Sequence, residues 1–145
     1  MTAKELMKQC EAEEKELKFR EFSSETALAI GMALIEEAKK RDNKICIDIA
    51  IAGRRLFHYS SDGNAVSNDI MIERKKKTAM HTGHSSLWAH YMLENCDMNI
   101  KEKWALEPSE YAQVGGAFPI RLENCQTVIG TITSVSYTHL TLPTK

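Results

Sequence analysis

Ile45-Cys46-Ile47-Asp48-Ile49-Ala50-Ile51-Ala52-Gly53 is the stretch whose reading decides the fold. Isoleucine at every second position places Ile45, Ile47, Ile49 and Ile51 on one face of an extended chain and Cys46, Asp48, Ala50 and Ala52 on the other. A period of two predicts a strand, and Gly53 predicts a turn into a second strand around Leu56 to Ser60, so the stretch opens a hairpin. Asp48 is the exception on the small-residue face. If it is buried between layers it demands a partner, and it is a candidate general base.

On the N-terminal side, Ser23-Ser24 supplies N-cap residues. Ala27, Ile30, Gly31, Leu34, Ile35 and Ala38 then recur at helical spacing, and Lys39-Lys40-Arg41 closes the last turn in accord with the helix dipole. Residues 2–20 are rich in Lys and Glu around Leu6, Met7, Cys10 and Leu17, which predicts an amphipathic, partly solvated helix. On the C-terminal side, Ser61-Asp62-Gly63-Asn64 reads as a loop, and Ser67 or Asn68 is expected to cap a helix ending at Gly83. Ser85 or Ser86 caps a further helix, ending near Asn95, whose Leu87, Trp88, Tyr91 and Met92 face a core or a subunit interface. Residues 97–113 read as irregular or helical. Gly115-Gly116 leads into a strand from Ala117 to Leu122, and Glu123-Asn124-Cys125-Gln126 turns into a last strand from Thr127 to Thr133. Helices, hairpin, helices, hairpin predicts an α+β fold, an antiparallel sheet with helices packed on it.

A chain of 145 residues is one domain by length. Its 19 basic and 20 acidic residues give a net charge of −1, which argues against nucleic acid and against an anionic membrane surface as partners. No apolar run approaches the roughly 20 residues a bilayer crossing needs, and the charged N-terminus has no signal-peptide core, so a cytoplasmic location is expected. Cys10, Cys46, Cys96 and Cys125 are scattered without a C-x-x-C pair, and no metal site is predicted from them.

The end of the chain follows another logic. Val135 to Thr144, back-translated as GTC TCT TAT ACA CAT CTG ACG CTG CCG ACG, reproduces the transposase end and adapter used in building DNA-sequencing libraries. The expectation is a native domain over 1–133, C-terminally truncated, followed by an adapter-derived tail over 134–145. His139 is set aside as a ligand candidate on that ground.

The concentration of charge lies in Glu73-Arg74-Lys75-Lys76-Lys77-Thr78-Ala79-Met80-His81-Thr82-Gly83-His84-Ser85-Ser86. On a helix Arg74, Lys77, Thr78 and His81 share a face at i, i+3, i+4 and i+7. Guanidinium and ammonium groups pair with carboxylate or phosphate, and a neutral imidazole can ligate iron, so this face is a candidate site for a small anionic ligand. The alternative is a solvated basic helix with Glu73 paired to Lys77. Gly83 is expected to end the helix between His81 and His84, which weakens them as a metal pair. Ser85-Ser86 reads first as a helix cap and second as an anion-binding turn.

With these elements placed, the chain resembles the haem-degrading domain family, also called GlcG/HbpS-like, over roughly Glu25 to Thr133. Lys75, Thr78 and Ala79 match the family's Lys-Ala-x-Thr-Ala helix, and Gly115-Gly116, Pro119 and Gly130 match its Gly-Gly-x-Pro and final hairpin. Glu73-Arg74-Lys75 and Gly83-His84-Ser85-Ser86 are similar to a small, largely uncharacterised branch. Lys76 departs from the Ala of the broader family. The resemblance implies a profilin-like sheet with helices on its faces, a homo-oligomer, and haem or a related tetrapyrrole as ligand, bound or degraded. Arg74, Lys75, Lys77, His81, His84 and Ser85 are then the candidate ligand-binding residues. No catalytic residue is assigned. A non-catalytic oligomeric scaffold or accessory protein is the competing reading.

Overall fold

The computed structural model describes residues 1–136. Strand β1 (Ile45–Ile51) is central to a four-stranded sheet of order β2-β1-β4-β3, with β2 (Arg54–Ser60), β3 (Ala117–Ile120) and β4 (Gly130–Ser136), every pair antiparallel. Ala52 (φ 51°) and Gly53 (φ 79°) form the two-residue link between β1 and β2. Two consecutive left-handed residues match the strand twist, as in a type I′ hairpin.

Ile45, Ile47 and Ile49, at most 2% exposed, pack with Phe118, Ile120 and Ile132 against Ala27, Ile35 and Ala38 of helix α2 (Ser24–Lys40). Each fully buried isoleucine contributes about 2–3 kcal/mol, so this face anchors the fold. Cys46, Asp48, Thr131 and Thr133 point to the other face, which is covered by α3 (Val66–Thr82) and, at β3, by α4 (Ser86–Cys96). Helix α1 (Ala3–Glu16) lies on α4, where Met7 and Cys10 pack with Trp88 and Ala89. The predicted N-terminal amphipathic helix therefore docks within the domain. A short α5 (Ile100–Trp104) follows α4. The fold is α+β, as the alternation of Ile residues and the element order predict, and profilin-like, as the family resemblance implies.

Three local expectations are corrected. Neither Ser67 nor Asn68 caps α3. Its N-cap is Ala65, with no side-chain cap bond, because Asn68 donates to Asn64 while Asn64 donates to the carbonyls of Ile45 and Ser61 and ties the loop to β1. In the final hairpin the first strand starts at Ala117 as expected but ends at Ile120, and the last strand moves three residues on, to Gly130–Ser136. Gly130 fixes that register, since a Cβ there would collide with the Ala50 carbonyl and lie 2.9 Å from Ile51 Cα. Lys77 does not pair with Glu73; it reaches Glu110 at 2.9 Å instead.

Strand β4 continues past Thr133, and Ser134, Val135 and Ser136 pair with Ile47, Cys46 and Ile45. The remainder of the expected tail, 137–145, lies outside the described residues. Among the described residues no helix is long and apolar enough to cross a membrane.

Candidate functional site

A cavity lies where the C-terminal end of α1 meets the α3–α4 turn and the segment after β3. Gly83 (φ 74°) ends α3 in the left-handed conformation and returns the chain toward α1. Ser85 then caps α4, accepting the Trp88 N–H at 3.0 Å. This turn presents His84, whose Nδ1 lies 2.9 Å from Glu14 Oε1 and whose ring stacks on Trp88 at 3.9 Å. Glu14 is 5% exposed. It also accepts the Ser85 backbone N–H at 3.0 Å and faces Arg121 at 3.5 Å, while Arg121 in turn donates to the carbonyls of Gly83 and Gln126. A buried carboxylate on Nδ1 orients the imidazole and leaves Nε2 as the ring nitrogen available to a ligand. The cavity, about 390 Å³, is lined by Glu11, Lys15, Lys18, His84, Arg121 and Gln126 together with Glu14. Trp88 Nε1 occupies Glu11 at 2.9 Å. Lys15 and Lys18 have no ion-pair partner among the described residues, so they are the cations free to meet an anion.

The other predicted residues are dispersed. Arg74, Lys77 and His81 share a helix face, and the chain's own 108–112 segment engages all three while leaving Lys77 and His81 exposed. Arg74 donates to the Pro108 carbonyl at 2.6 Å, Lys77 pairs with Glu110, and His81 meets Tyr111 edge-on at 6.0 Å between centroids. Thr78, fully buried, accepts the Ala112 N–H at 3.0 Å. Arg74 and Lys77 thus fasten a loop through partners of their own, while His81 remains exposed. Lys75 turns inward, 5% exposed, and donates to the Ser134 carbonyl at 3.2 Å. Burial pushes its ammonium down to about 8. Of the six candidates only His84 lines the cavity, and Ser85 is buried behind it with its N–H held by Glu14. Glu14, Lys15, Lys18 and Arg121 were not legible as its partners, because each lies tens of residues away along the chain.

A second cluster lies on the α3 face of the hairpin. Asp48, fully buried, is met by Arg55 Nε at 2.7 Å, His58 Nδ1 at 3.1 Å and Lys76 Nζ at 3.0 Å. Asp48 and His58 are cross-strand partners, which supplies the partner that burial demands. The Asp48 carboxylate raises the Arg55 guanidinium further above its ordinary value. Burial, followed by the hydrogen bond to Asp69, pushes the Cys46 thiol up to about 12. Cys10 is raised to about 11, first by burial and then by Glu13. Both thiols are thus protonated at neutral pH in the metal-free protein.

Fold and site define a class: a single antiparallel sheet carrying helices on both faces, with a polar ligand cavity at the end of one helix layer. Within that class the chain belongs to the haem-degrading protein HbpS-like family, whose family model matches residues 22–138. It is 34% identical over 125 residues to a UPF0303 protein of Edwardsiella ictaluri, spanning 86% of this chain and 80% of that one. The crystal structure of the Ybr137w protein superposes with a TM-score of 0.82 at 31% identity, covering 89% of this chain and 76% of that one. A double-mutant HbpS from Streptomyces reticuli shares the fold at a TM-score of 0.63 and 16% identity, over 84% of this chain and 79% of that one. Helix α1, which supplies Glu14, Lys15 and part of the cavity wall, precedes the family-model match.

Proposed function

We propose that this protein is a cytoplasmic small-ligand protein that binds haem or a related anionic tetrapyrrole in the cavity between α1 and the α3–α4 turn. The observation that carries the reading is His84, held through Nδ1 by buried Glu14 and lining a cavity with two unpaired lysines. The residues fit the group: His84 Nε2 would serve as a ligand to its iron, and Lys15 and Lys18 would meet its propionate carboxylates. The cavity volume falls within the range of small-molecule sites and would leave part of a macrocycle in solvent. Haem, when bound, supplies redox and oxygen chemistry at its iron. The chain's own residues bind it and orient it. The family description supports haem over other anions, and four free cysteines suit a reducing compartment.

The test is a pair of titrations, with hemin and with metal-free protoporphyrin IX, on the wild type and on Lys15→Glu/Lys18→Glu. One saturable equivalent is expected for the wild type. The variant should bind both ligands about tenfold more weakly or worse, each exposed pair being worth up to about 1 kcal/mol before repulsion is added. Equal affinities in the two proteins would remove the lysines from the site. Loss of the Soret band under a reductant in air, faster than for free hemin, would extend binding to degradation.

The homo-oligomeric scaffold is favoured by a different observation. Leu28 and Met32, one turn apart on α2, are each 48% exposed, a pairing that suits a subunit contact. Light scattering separates the readings, since a strict monomer that binds hemin supports only the first.

A further inference from the structure

Away from the His84 cavity, three ligand-type atoms converge where the first hairpin meets α3. Cys46 Sγ lies 3.1 Å from Asp69 Oδ1, and His58 Nε2 lies 3.3 Å from the same oxygen. The three atoms all fall within 4.8 Å of one another. Tetrahedral zinc, with bonds of 2.0–2.3 Å, holds its ligand atoms about 3.3–3.6 Å apart, so the cluster needs only small side-chain shifts. The His58 ring is already oriented. Its Nδ1 sits 3.1 Å from Oδ2 of Asp48, a fully buried carboxylate pinned by Arg55 and Lys76. Carboxylate, histidine and metal in series is the arrangement that fixes the tautomer of a metal-binding imidazole and directs Nε2 at the ion.

We infer that Cys46, His58 and Asp69 form a binding site for a zinc-class divalent cation, with Asp48 as the positioning residue behind His58. The ion enters between the three atoms and displaces the thiol proton of Cys46, which leaves to solvent. Thiolate and carboxylate then balance its two positive charges. Sulfur, imidazole and carboxylate together favour a borderline-soft ion over calcium or magnesium, which take oxygen ligands. Three protein ligands leave a fourth position, and His58 and Asp69 line an open cavity of about 530 Å³ with Arg55, Ser60 and Glu73. A small anion or water reaching that position would meet the Arg55 guanidinium. None of these residues borders the His84 cavity, so this site stands or falls independently of tetrapyrrole binding.

Cobalt(II) is the probe, titrated into the reduced 145-residue chain. The expected result is one equivalent bound with a thiolate-to-cobalt charge-transfer band, bleached by competing zinc. The band should vanish in Cys46→Ser and persist in Cys96→Ser and Cys125→Ser. His58→Gln and Asp69→Asn replace partly exposed side chains at little risk to the fold, and each should weaken binding at least tenfold. Asp48→Asn should weaken it about ten- to a hundredfold while keeping the charge-transfer band. No band in the wild type, a band that depends on Cys96 or Cys125, or affinity unchanged in both His58→Gln and Asp69→Asn would overturn the assignment.

Discussion

Replacing Lys75 with Met should stabilise the protein near neutral pH and lose that advantage as the solution becomes alkaline. Lys75 is 5% exposed, and its one recorded hydrogen bond goes to the Ser134 carbonyl. Burial lowers its pKa from 10.5 to about 8. Below pH 8 the amine is charged in both folded and unfolded chains, and the fold bears the full desolvation cost. Between 8 and 10.5 the unfolded chain binds more protons, so stability rises with pH; above 10.5 the amine is neutral in both and the cost is gone. A shift of this size corresponds to about 3 kcal/mol at pH 7, falling to about 1 kcal/mol at pH 10. Methionine removes that cost and forfeits a hydrogen bond of about 1 kcal/mol, leaving Lys75→Met roughly 2 kcal/mol more stable at pH 7. Urea unfolding of both proteins at pH 7, 8, 9 and 10 reads the difference, and groups common to both cancel. The gap should move by about 2 kcal/mol toward the wild type between pH 7 and pH 10. A gap that is constant with pH would refute the reasoning, because it would mean the amine keeps its hydration in the fold.

Other consequences follow from single contacts. Gly130→Ala drives a Cβ into the Ala50 carbonyl and the Ile51 backbone, so urea denaturation should show a loss of about 3 kcal/mol or more. Trp88→Phe deletes the 2.9 Å bond from the indole to Glu11 and should cost about 2 kcal/mol by circular dichroism-monitored unfolding, leaving that carboxylate without its donor. Glu14→Gln keeps the side-chain shape but withdraws the anionic partner of His84 Nδ1. Hemin affinity, followed in the Soret region, should fall about tenfold while the far-ultraviolet spectrum is retained.

The strongest periodic signals carried the architecture. Alternating Ile45, Ile47, Ile49 and Ile51 can bury one face only as a strand, and the spacing from Ala27 to Ala38 can bury one stripe only as a helix. Register was less legible, because the shift of the last hairpin depends on backbone contact between Gly130 and Ala50 across the sheet. The site was legible in part. The turn after Gly83 that carries His84 and the Ser85 cap is legible in the sequence, but Glu14, Lys15 and Arg121 reach that turn through tertiary packing that no local pattern encodes. The partners of the basic run were not legible, because a shared helix face does not say what meets it, and here Pro108, Glu110 and Tyr111 engage Arg74, Lys77 and His81. Asp48 carried a usable signal, since a carboxylate in phase with Cys46 and Ala50 had to find partners. Its cross-strand neighbour His58 was not legible, because the two-residue turn alone would set Phe57 opposite Asp48 and a bulge at Ile49/Ala50 shifts the register by one residue.

The most direct test of the account is the absorption spectrum of the ferric hemin complex in the wild type, His84→Ala and His81→Ala. A shifted Soret band is expected in the wild type and in His81→Ala, with the shift abolished in His84→Ala. A shift that survives His84→Ala unchanged, or no shift in the wild type, would contradict it.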